Sequence, residues 1–522
     1  MTHPIKYLHI PSRVNMAILA VDRHVAEGRG LRPALFLGER AVTFEELRRL
    51  TNRWGNALKG LGVRPGDRYV LRLGTTLECM VGILGGLKIG AVPVPTNPLL
   101  RAREMEAILE NSGATLAMTS PELGDVLEEV RARCPGLRAV IHVGGAGPGS
   151  YEALMAGASE ALAPADTNAN DLAFILYTSG TTGTPKGVEH AHRWLIGTGE
   201  PVGRMMMGLT AEDVCLQPQD ISFMYPFGCN FFYPLYCGAS VVVYPGRFEP
   251  GTVLDLVARR RVTAFAAVPT LYRMLLAAVG PDARATLGSL RRCISAGEPL
   301  PTDTFTEWRD RFGVEVLDGF GQTEAHIFVA NLPGRPVRPG SMGRPLPGYE
   351  VRVVDDAGEP CPPDTAGHLV VRRGHPGFCL GYRGMPERWA ALQRGDWYDT
   401  QDYAQVDADG YYWYISRADD LIKSRGYLIS PKEVESALME HPDVLEAGVV
   451  GAPDAVMGQR VRAFVTLKPG RAASPELGEK LREHVKAALA PYKAPQEVEF
   501  VGELPKTLTG KVLRRELRSR PG

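Results

Sequence analysis

Residues 171–192 read DLAFILYTSGTTGTPKGVEHAH. The run Asp171 to Leu176 is short, apolar and rich in strand-forming residues, and it predicts a buried β-strand. The string that follows, Tyr177 to Gly187, holds three glycines, four threonines, a serine and Lys186. Glycines let backbone N–H groups approach a polyanion, hydroxyls add donors, and the lysine adds a mobile cation. At a strand end this composition predicts a cradle for the β- and γ-phosphates of a nucleotide. It is not the G-x-x-x-x-G-K-[ST] phosphate loop, which occurs nowhere around it. An ordinary turn between strand and helix is the alternative, and the ordered string is too specific for it.

Working outward, further apolar runs stand at 68–73 (RYVLRL), 115–119 (TLAMT), 137–143 (LRAVIHV), 240–244 (SVVVY), 262–269 (VTAFAAVP) and 290–297 (LRRCISAG). Helical stretches such as 253–261 and 270–279 separate them. In 44–63, Leu47, Leu50, Trp54, Leu58 and Leu61 recur at helical spacing, and Gly62 stops the pattern. Strands alternating with helices predict an α/β fold with mostly parallel sheet. From about 341 the texture changes to short strands and tight turns, with Asp409-Gly410 as a hairpin signal between alternating runs. A barrel-like part is expected over about 341–415. Beyond 416–420 a compact α+β pattern follows, and lysine use changes with it: Lys186 alone lies between Lys88 and Lys423. The expected division is 1–417 and 418–522.

Composition limits the function. The 522 residues carry 59 basic and 59 acidic side chains, with 44% hydrophobic residues. That apolar content excludes wholesale disorder, and the zero balance argues against a nucleic-acid binder. The front of the chain has no apolar signal segment, and the stretch from Cys79 to Pro95 is too interrupted to span a bilayer. The eight cysteines are scattered without a C-x-x-C pair, which predicts buried, reduced thiols in a cytoplasmic protein with no membrane partner. His190 and His192 suggest a metal, but no third ligand accompanies them, so a helix-face or ATP-adjacent place is expected.

The loop resembles the signature of the adenylate-forming superfamily, which includes acyl-CoA synthetases and peptide-synthetase adenylation domains. Five further motifs follow in that family's order. Ser295-Ala-Gly-Glu-Pro299 is similar to the segment packing on adenine. Asp318-Gly-Phe-Gly-Gln-Thr-Glu324 resembles the aromatic-Gly-x-Thr-Glu motif. Tyr398-Asp-Thr-Gln-Asp402 is similar to the Thr-Gly-Asp segment that holds the ribose. Ser416 to Lys423 resembles the hinge, and Pro505-Lys-Thr-Leu-Thr-Gly-Lys511 the catalytic-lysine motif.

The resemblance implies a large N-terminal domain of two α/β subdomains and a small β-barrel, with a mobile C-terminal cap. It implies ATP, Mg²⁺ and CoA as cofactors or co-substrates, and a small-molecule carboxylic acid as the partner, on a monomer or homodimer. Lys511, Glu324, Thr323 and Lys186 would be catalytic, with Glu324 and Thr178 toward Mg²⁺. The nucleotide would meet Thr178, Ser179, Gly180, Thr181, Thr182, Gly183, Lys186 and Gly297, Glu298, Pro299. It would also meet Asp318, Gly319, Phe320, Gly321, Gln322, Thr323, Asp402, Arg417 and Lys511. The acyl pocket would be lined by Tyr225, Phe227, Gly228, Ala296, Gly297, Gly321, His326 and Ile327. Phe231 and Phe232 are expected in the core.

A carboxylate repels nucleophiles, and joining it to AMP turns it into a mixed anhydride with a good leaving group. Preorganised cations and donors in a water-poor site suit that step. The resemblance further implies a swing of the cap about Asp419, which withdraws Lys511 and brings Arg425, Gly426 and Tyr427 to the CoA channel. The sequence departs from the family pattern at Gln401, Ser416 and Leu428, and these departures bear on nucleotide and CoA contacts. Benzoate–CoA ligases and medium-chain acyl-CoA synthetases are the most similar in motif. The expected activity is therefore an AMP-forming acid–thiol ligase for an aryl or medium-chain acid. A stand-alone enzyme loading a carrier protein is the alternative, and a catalytically silent binding protein is a third reading.

Overall fold

The computed structural model describes residues 8–178, 185–280, 287–424, 427–454, 456–506 and 512–520, with the side chain of Leu428 also outside the description. The chain divides into two compact units. One is formed by residues up to Val351 with Arg372–Tyr398, the other by Arg352–Val371 with Asp399–Gly522.

The first unit holds three sheets. A nine-stranded sheet runs in the order Arg344–Pro345, His326–Ala330, Val316–Gln322, Arg292–Ala296, Ala264–Ala267, Val214–Leu216, Ser240–Val242, Pro33–Leu37, Arg40–Thr43. Its six central strands are parallel, and antiparallel strands close both edges. Ser240–Val242 and Ala264–Ala267, in the middle of it, are buried at every residue, as parallel strands covered by helices are. Helices Pro250–Arg260, Pro269–Ala278 and Thr302–Phe312 cover it through Val253, Leu275, Phe305 and Trp308. A second sheet is wholly parallel, in the order Val92–Pro95, Arg68–Arg72, Leu116–Thr119, Ala139–His142.

The amphipathic helix expected over 44–63 is Phe44–Gly60. It starts where the Thr43 hydroxyl accepts from the Glu46 amide, and it buries Leu47, Trp54 and Leu58. Beside it Lys88, fully buried, pairs with Asp22 at 2.7 Å and with Asn52 at 2.8 Å. Burial lowers the Lys88 pKa, and the Asp22 carboxylate opposes that shift.

The third sheet carries the glycine-rich string. Leu172–Thr178 pairs antiparallel with Lys186–Ala191, which pairs with Gly381–Tyr382. The string therefore joins two strands, whereas the ordinary-turn alternative placed a helix after it. His190 lies in the second strand and is fully buried, and His192 follows it in the core. The helix-face expectation for these histidines is thus corrected: strand alternation turns His190 inward, against Phe174 at 4.8 Å.

The hairpin expected at Asp409-Gly410 joins Trp397–Val406, which enters the second unit at Asp399, to Tyr412–Arg417, with Gly410 at φ +82°. The C-terminal α+β part is a sheet in the order Tyr427–Ile429, Ile422–Ser424, Gly458–Leu467, Val444–Asp454, with Glu497–Phe500 also paired to Gly458–Leu467. Helices Pro431–Met439 and Pro475–Ala488 pack Val434, Leu438, Leu481 and Val485 against it. Seven of the eight cysteines are buried, Cys361 is half-buried, and all eight are free thiols. Among the described residues no helix is long and apolar enough to cross a membrane.

Candidate active site

In the first unit the antiparallel register sets Thr178 opposite Lys186, so the two ends of the glycine-rich string are adjacent. The Lys186 ammonium lies 4.9 Å from the centre of the Tyr382 ring, on the neighbouring strand. The Tyr382 hydroxyl donates to Glu324 Oε1. Tyr382 thus links Lys186 with Glu324, two residues 138 positions apart in the chain. Burial, with the Glu324 carboxyl next to it, pushes the Tyr382 phenol far above its usual range, so it remains a donor. Glu324 is itself buried, and its backbone carbonyl accepts from the Cys379 amide at 2.8 Å.

Tyr382 was missed in the sequence, although Gly381-Tyr382 is a glycine-flanked aromatic that could have flagged it. A second supporting contact is Tyr398, whose hydroxyl donates to Gln322 Oε1 at 2.8 Å.

The strand-end segments converge from parallel neighbours. Ser295 stands opposite Asp318, and Ala296 opposite Gly319. Gly297 follows at φ +90°, and Glu298 accepts from the Thr270 hydroxyl at 2.9 Å. Asp318 is buried, its Oδ1 has no partner among the described residues, and burial pushes its carboxyl up to about 8. An orphaned buried oxygen at a strand end suits a ligand's polar edge, and the resemblance expects the nucleotide at Asp318.

Two of the acyl-pocket candidates, Gly228 and Gly321, approach a third, His326. His326 has φ +56° and 2% exposure, and among the described residues neither ring nitrogen has a well-formed hydrogen bond. Burial lowers its pKa to about 3, so the ring is neutral at ordinary pH. It sits edge-on to Trp194 and Tyr233, at 5.7 and 5.2 Å. Two glycines make this approach possible. A Cβ at Gly321 would lie 1.9 Å from the His326 carbonyl oxygen, and one at Gly228 would lie 2.8 Å from His326 Nε2. Phe227 is fully buried among Phe174, Trp194 and Phe232, while Phe231 and Phe232 are core residues as expected. The Tyr225 hydroxyl donates to the Ile294 carbonyl at 3.1 Å, which fixes its ring beside the strand leading to Ala296.

The second unit carries its own part of the motif series. Asp402 is 1% exposed at its side chain, and Arg417 Nε lies 3.1 Å from its Oδ1, from the strand opposite. Gln401, the departure from Thr-Gly-Asp, has φ +60°. A glycine takes that conformation without cost, whereas a side chain adds about 1 kcal/mol of strain. Ser416 is buried, and its neighbour Ile415 accepts from the Ser430 hydroxyl. Tyr427 is half exposed and stacks on Tyr492 at 4.2 Å. Ser179, Gly180, Thr181, Thr182, Gly183, Arg425, Gly426 and Lys511 lie outside the described residues.

Among the described residues no group of three metal-ligating side chains occurs. A buried Glu324 carboxyl, linked through Tyr382 to Lys186, nevertheless fits Mg²⁺, which usually takes one or two carboxylates together with substrate phosphates.

Comparison with known proteins accords with this arrangement. Residues 22–383 match the AMP-binding enzyme family, and residues 433–511 match the AMP-binding enzyme C-terminal domain. The benzoate–CoA ligase of Thauera aromatica is 39% identical over 98% of this chain and 97% of its own length. The mitochondrial acyl-coenzyme A synthetase ACSM3 of Homo sapiens is 36% identical over 92% of this chain and 83% of its own. The crystal structure of the anthranilate CoA ligase AuaEII in complex with anthranoyl-AMP superposes with a TM-score of 0.90, at 36% identity and 98% coverage of both chains. The chain belongs to the AMP-binding enzyme family, within the adenylate-forming superfamily of acyl-CoA synthetases.

Proposed function

We propose that this protein is an AMP-forming acid–thiol ligase that acts on an aryl, benzoate-like acid. In the first half-reaction a carboxylate oxygen attacks the α-phosphorus of ATP, the bond to pyrophosphate breaks, and acyl-AMP forms. In the second, the sulfur of CoA attacks the acyl carbon, AMP leaves, and the thiol proton passes to solvent. The observation that best supports this reading is the Lys186–Tyr382–Glu324 link, which sets a cation over the ring face and a carboxyl at the hydroxyl of one aromatic side chain.

Each residue then has a chemical task. Lys186 and the hydroxyl of Thr178 meet the phosphates, and Thr323 adds a second hydroxyl. Glu324 would hold Mg²⁺, which supplies charge neutralisation on the phosphate oxygens when bound. Tyr382 orients the Glu324 carboxyl through its hydrogen bond. Asp318 and the 297–299 segment receive the adenine, and Asp402 accepts from the ribose diol. Lys511 stabilises the charge that builds between carboxylate and α-phosphate, and residues 418–522 swing about Asp419 before thiol attack. Arg425, Gly426 and Tyr427 then meet the pantetheine arm of CoA.

The aryl reading rests on the neutral His326 and the rigid rings around it, which offer flat apolar surfaces with few charges. Medium-chain acids are the second reading, favoured by the acyl-coenzyme A synthetase relative. A panel of benzoate, hydroxy- and aminobenzoates, hexanoate and octanoate, assayed with ATP, Mg²⁺ and CoA, tests the choice. The expected result is the highest kcat/KM with a benzoate. A preference for octanoate over every ring would overturn the aryl assignment and leave the ligase assignment standing.

A further inference from the structure

Two sets of hydrogen bonds meet within two residues of the second unit. On the upstream side, Arg417 holds Asp402 through Nε at 3.1 Å, and the Ala418 amide donates to the Gln401 carbonyl at 2.9 Å. On the downstream side, Arg518 Nη2 donates to the Asp419 carbonyl at 2.9 Å and also to Asp420 Oδ1. Arg514 Nη1 donates to Asp420 Oδ2 at 3.1 Å. The remaining edge of that guanidinium grips Glu435, with Nη2 at 2.7 and 2.8 Å from its two oxygens.

Glu435 is nearly fully buried and accepts in addition from the Val449 amide at 2.9 Å. Arg514 and Arg518 both belong to the helix Arg514–Arg518, whose Leu517 is fully buried with Val450, Phe464 and Leu504. Asp419 and Asp420 are therefore tied to the end of the chain and to the core of the C-terminal part.

Between the Ala418 amide and the Asp419 carbonyl lie only the φ and ψ of those two residues. Among the described residues, three bonds that cross this interval are those of the Asp420 and Leu421 amides, which donate to the Arg417 carbonyl at 3.1 and 3.0 Å, and of the Ser430 hydroxyl, which donates to the Ile415 carbonyl. A rotation at the interval must break these three and can leave both flanking sets intact. The last helix has no other assigned part in the reaction.

We propose that Arg518, backed by Arg514, is the downstream grip of the hinge. It is a positioning residue that confines the swing to Ala418 and Asp419 and makes the C-terminal domain turn as one body. The proposal rests on the two-step reading above. It adds a defined length to the pivot and a role for the terminal helix.

The test uses the full-length enzyme and the variants Arg518→Ala and Arg518→Lys. The Arg518 side chain is about one-third exposed, and it is Leu517 of the same helix that fills the core. Rapid-quench measurement gives the first-turnover rate of pyrophosphate release, and steady-state assay gives acyl-CoA formation. With Arg518→Ala, steady-state kcat is expected to fall about 10-fold while KM for ATP and CoA and the first turnover stay within about 2-fold. Arg518→Lys should recover part of the loss, because an ammonium reaches the Asp420 carboxylate but cannot fork to the Asp419 carbonyl as well.

An unchanged kcat would overturn the grip, as would a parallel fall of first turnover and steady state, or a lysine variant no better than alanine. Lys511→Ala serves as the separate control. Equal loss of both half-reactions there strikes the alternation reading itself, whereas a split between them with a silent Arg518→Ala strikes only the grip.

Discussion

Around Glu324 the polar groups are sunk among rings and held by single hydrogen bonds from buried donors, as with the Tyr382 hydroxyl. Around Asp420 they are carried on arginines that stay partly in solvent and share the Asp420 carboxylate between two positions of one helix. The first arrangement suits a site that must present fixed dipoles to a developing charge, since a buried group pays no reorganisation during reaction. The second suits a joint, because discrete charge-assisted bonds either persist or break and rigidify whatever they hold. A burial-driven pKa shift marks Asp318 in the first region, whereas the Arg514 guanidinium of the second is held charged by Glu435 and Asp420 despite burial.

The largest effect that probes this contrast is expected from Lys511→Ala. Adenylation should fall by about 10²- to 10³-fold, the scale of losing one preorganised transition-state donor, while thioester formation from supplied acyl-AMP is spared. Pyrophosphate release and acyl-CoA formation, measured separately, decide it. Tyr382→Phe keeps the ring beneath Lys186 and deletes only the hydroxyl. It should slow adenylation about 10-fold, since a hydrogen bond between a buried hydroxyl and a carboxyl is lost. An unaltered pyrophosphate-exchange rate would remove Tyr382 from the site.

Asp318→Asn sharpens the comparison through pH. Burial holds the Asp318 carboxyl up to about 8 in the folded chain, against about 3.9 for an unfolded aspartate. Between those values the native state keeps a proton that the unfolded state has shed, so stability falls as pH rises through that window. The asparagine variant lacks this titration. Its advantage in melting temperature should therefore grow from pH 4 to pH 8 and then level off, and a constant difference across that range would contradict the assignment.

The smallest effect belongs to the second unit. Gln401→Gly should raise unfolding free energy by up to about 1 kcal/mol, because the strain of φ +60° is relieved. A glycine also widens the unfolded ensemble, which opposes this gain. Denaturant titration reads the balance, and a loss of stability would show that the strain at this position is smaller than the unfolded-state entropy that glycine adds.

Much of this was legible in the sequence because short-range rules govern it. The 44–60 helix announces itself by apolar spacing and the Gly62 stop, and the Asp409-Gly410 turn by its residue types. The parallel strands read correctly as apolar runs because both of their faces are covered. What stayed hidden depends on residues brought together from far apart. Nothing in the order of the chain says that Tyr382 reaches Glu324, or that Arg518 meets Asp419 across 98 intervening residues. His190 was misplaced for the same reason: a histidine pair after a loop has no local signal for a buried strand, and its stacking partner Phe174 lies on the preceding strand. The departure at Gln401 was visible as a substitution, but its meaning required the backbone angle.

The central claim is that one chain activates an acid as its adenylate and then passes it to CoA. Incubation with a benzoate, ATP and Mg²⁺ but no CoA tests it most directly, with pyrophosphate and acyl-AMP followed over one turnover and CoA added afterwards. The account expects acid-dependent pyrophosphate release close to the enzyme concentration, then acyl-CoA and AMP in equal amounts once CoA is present. Acyl-AMP that persists after CoA is added, or no pyrophosphate with any acid of the panel, would contradict it.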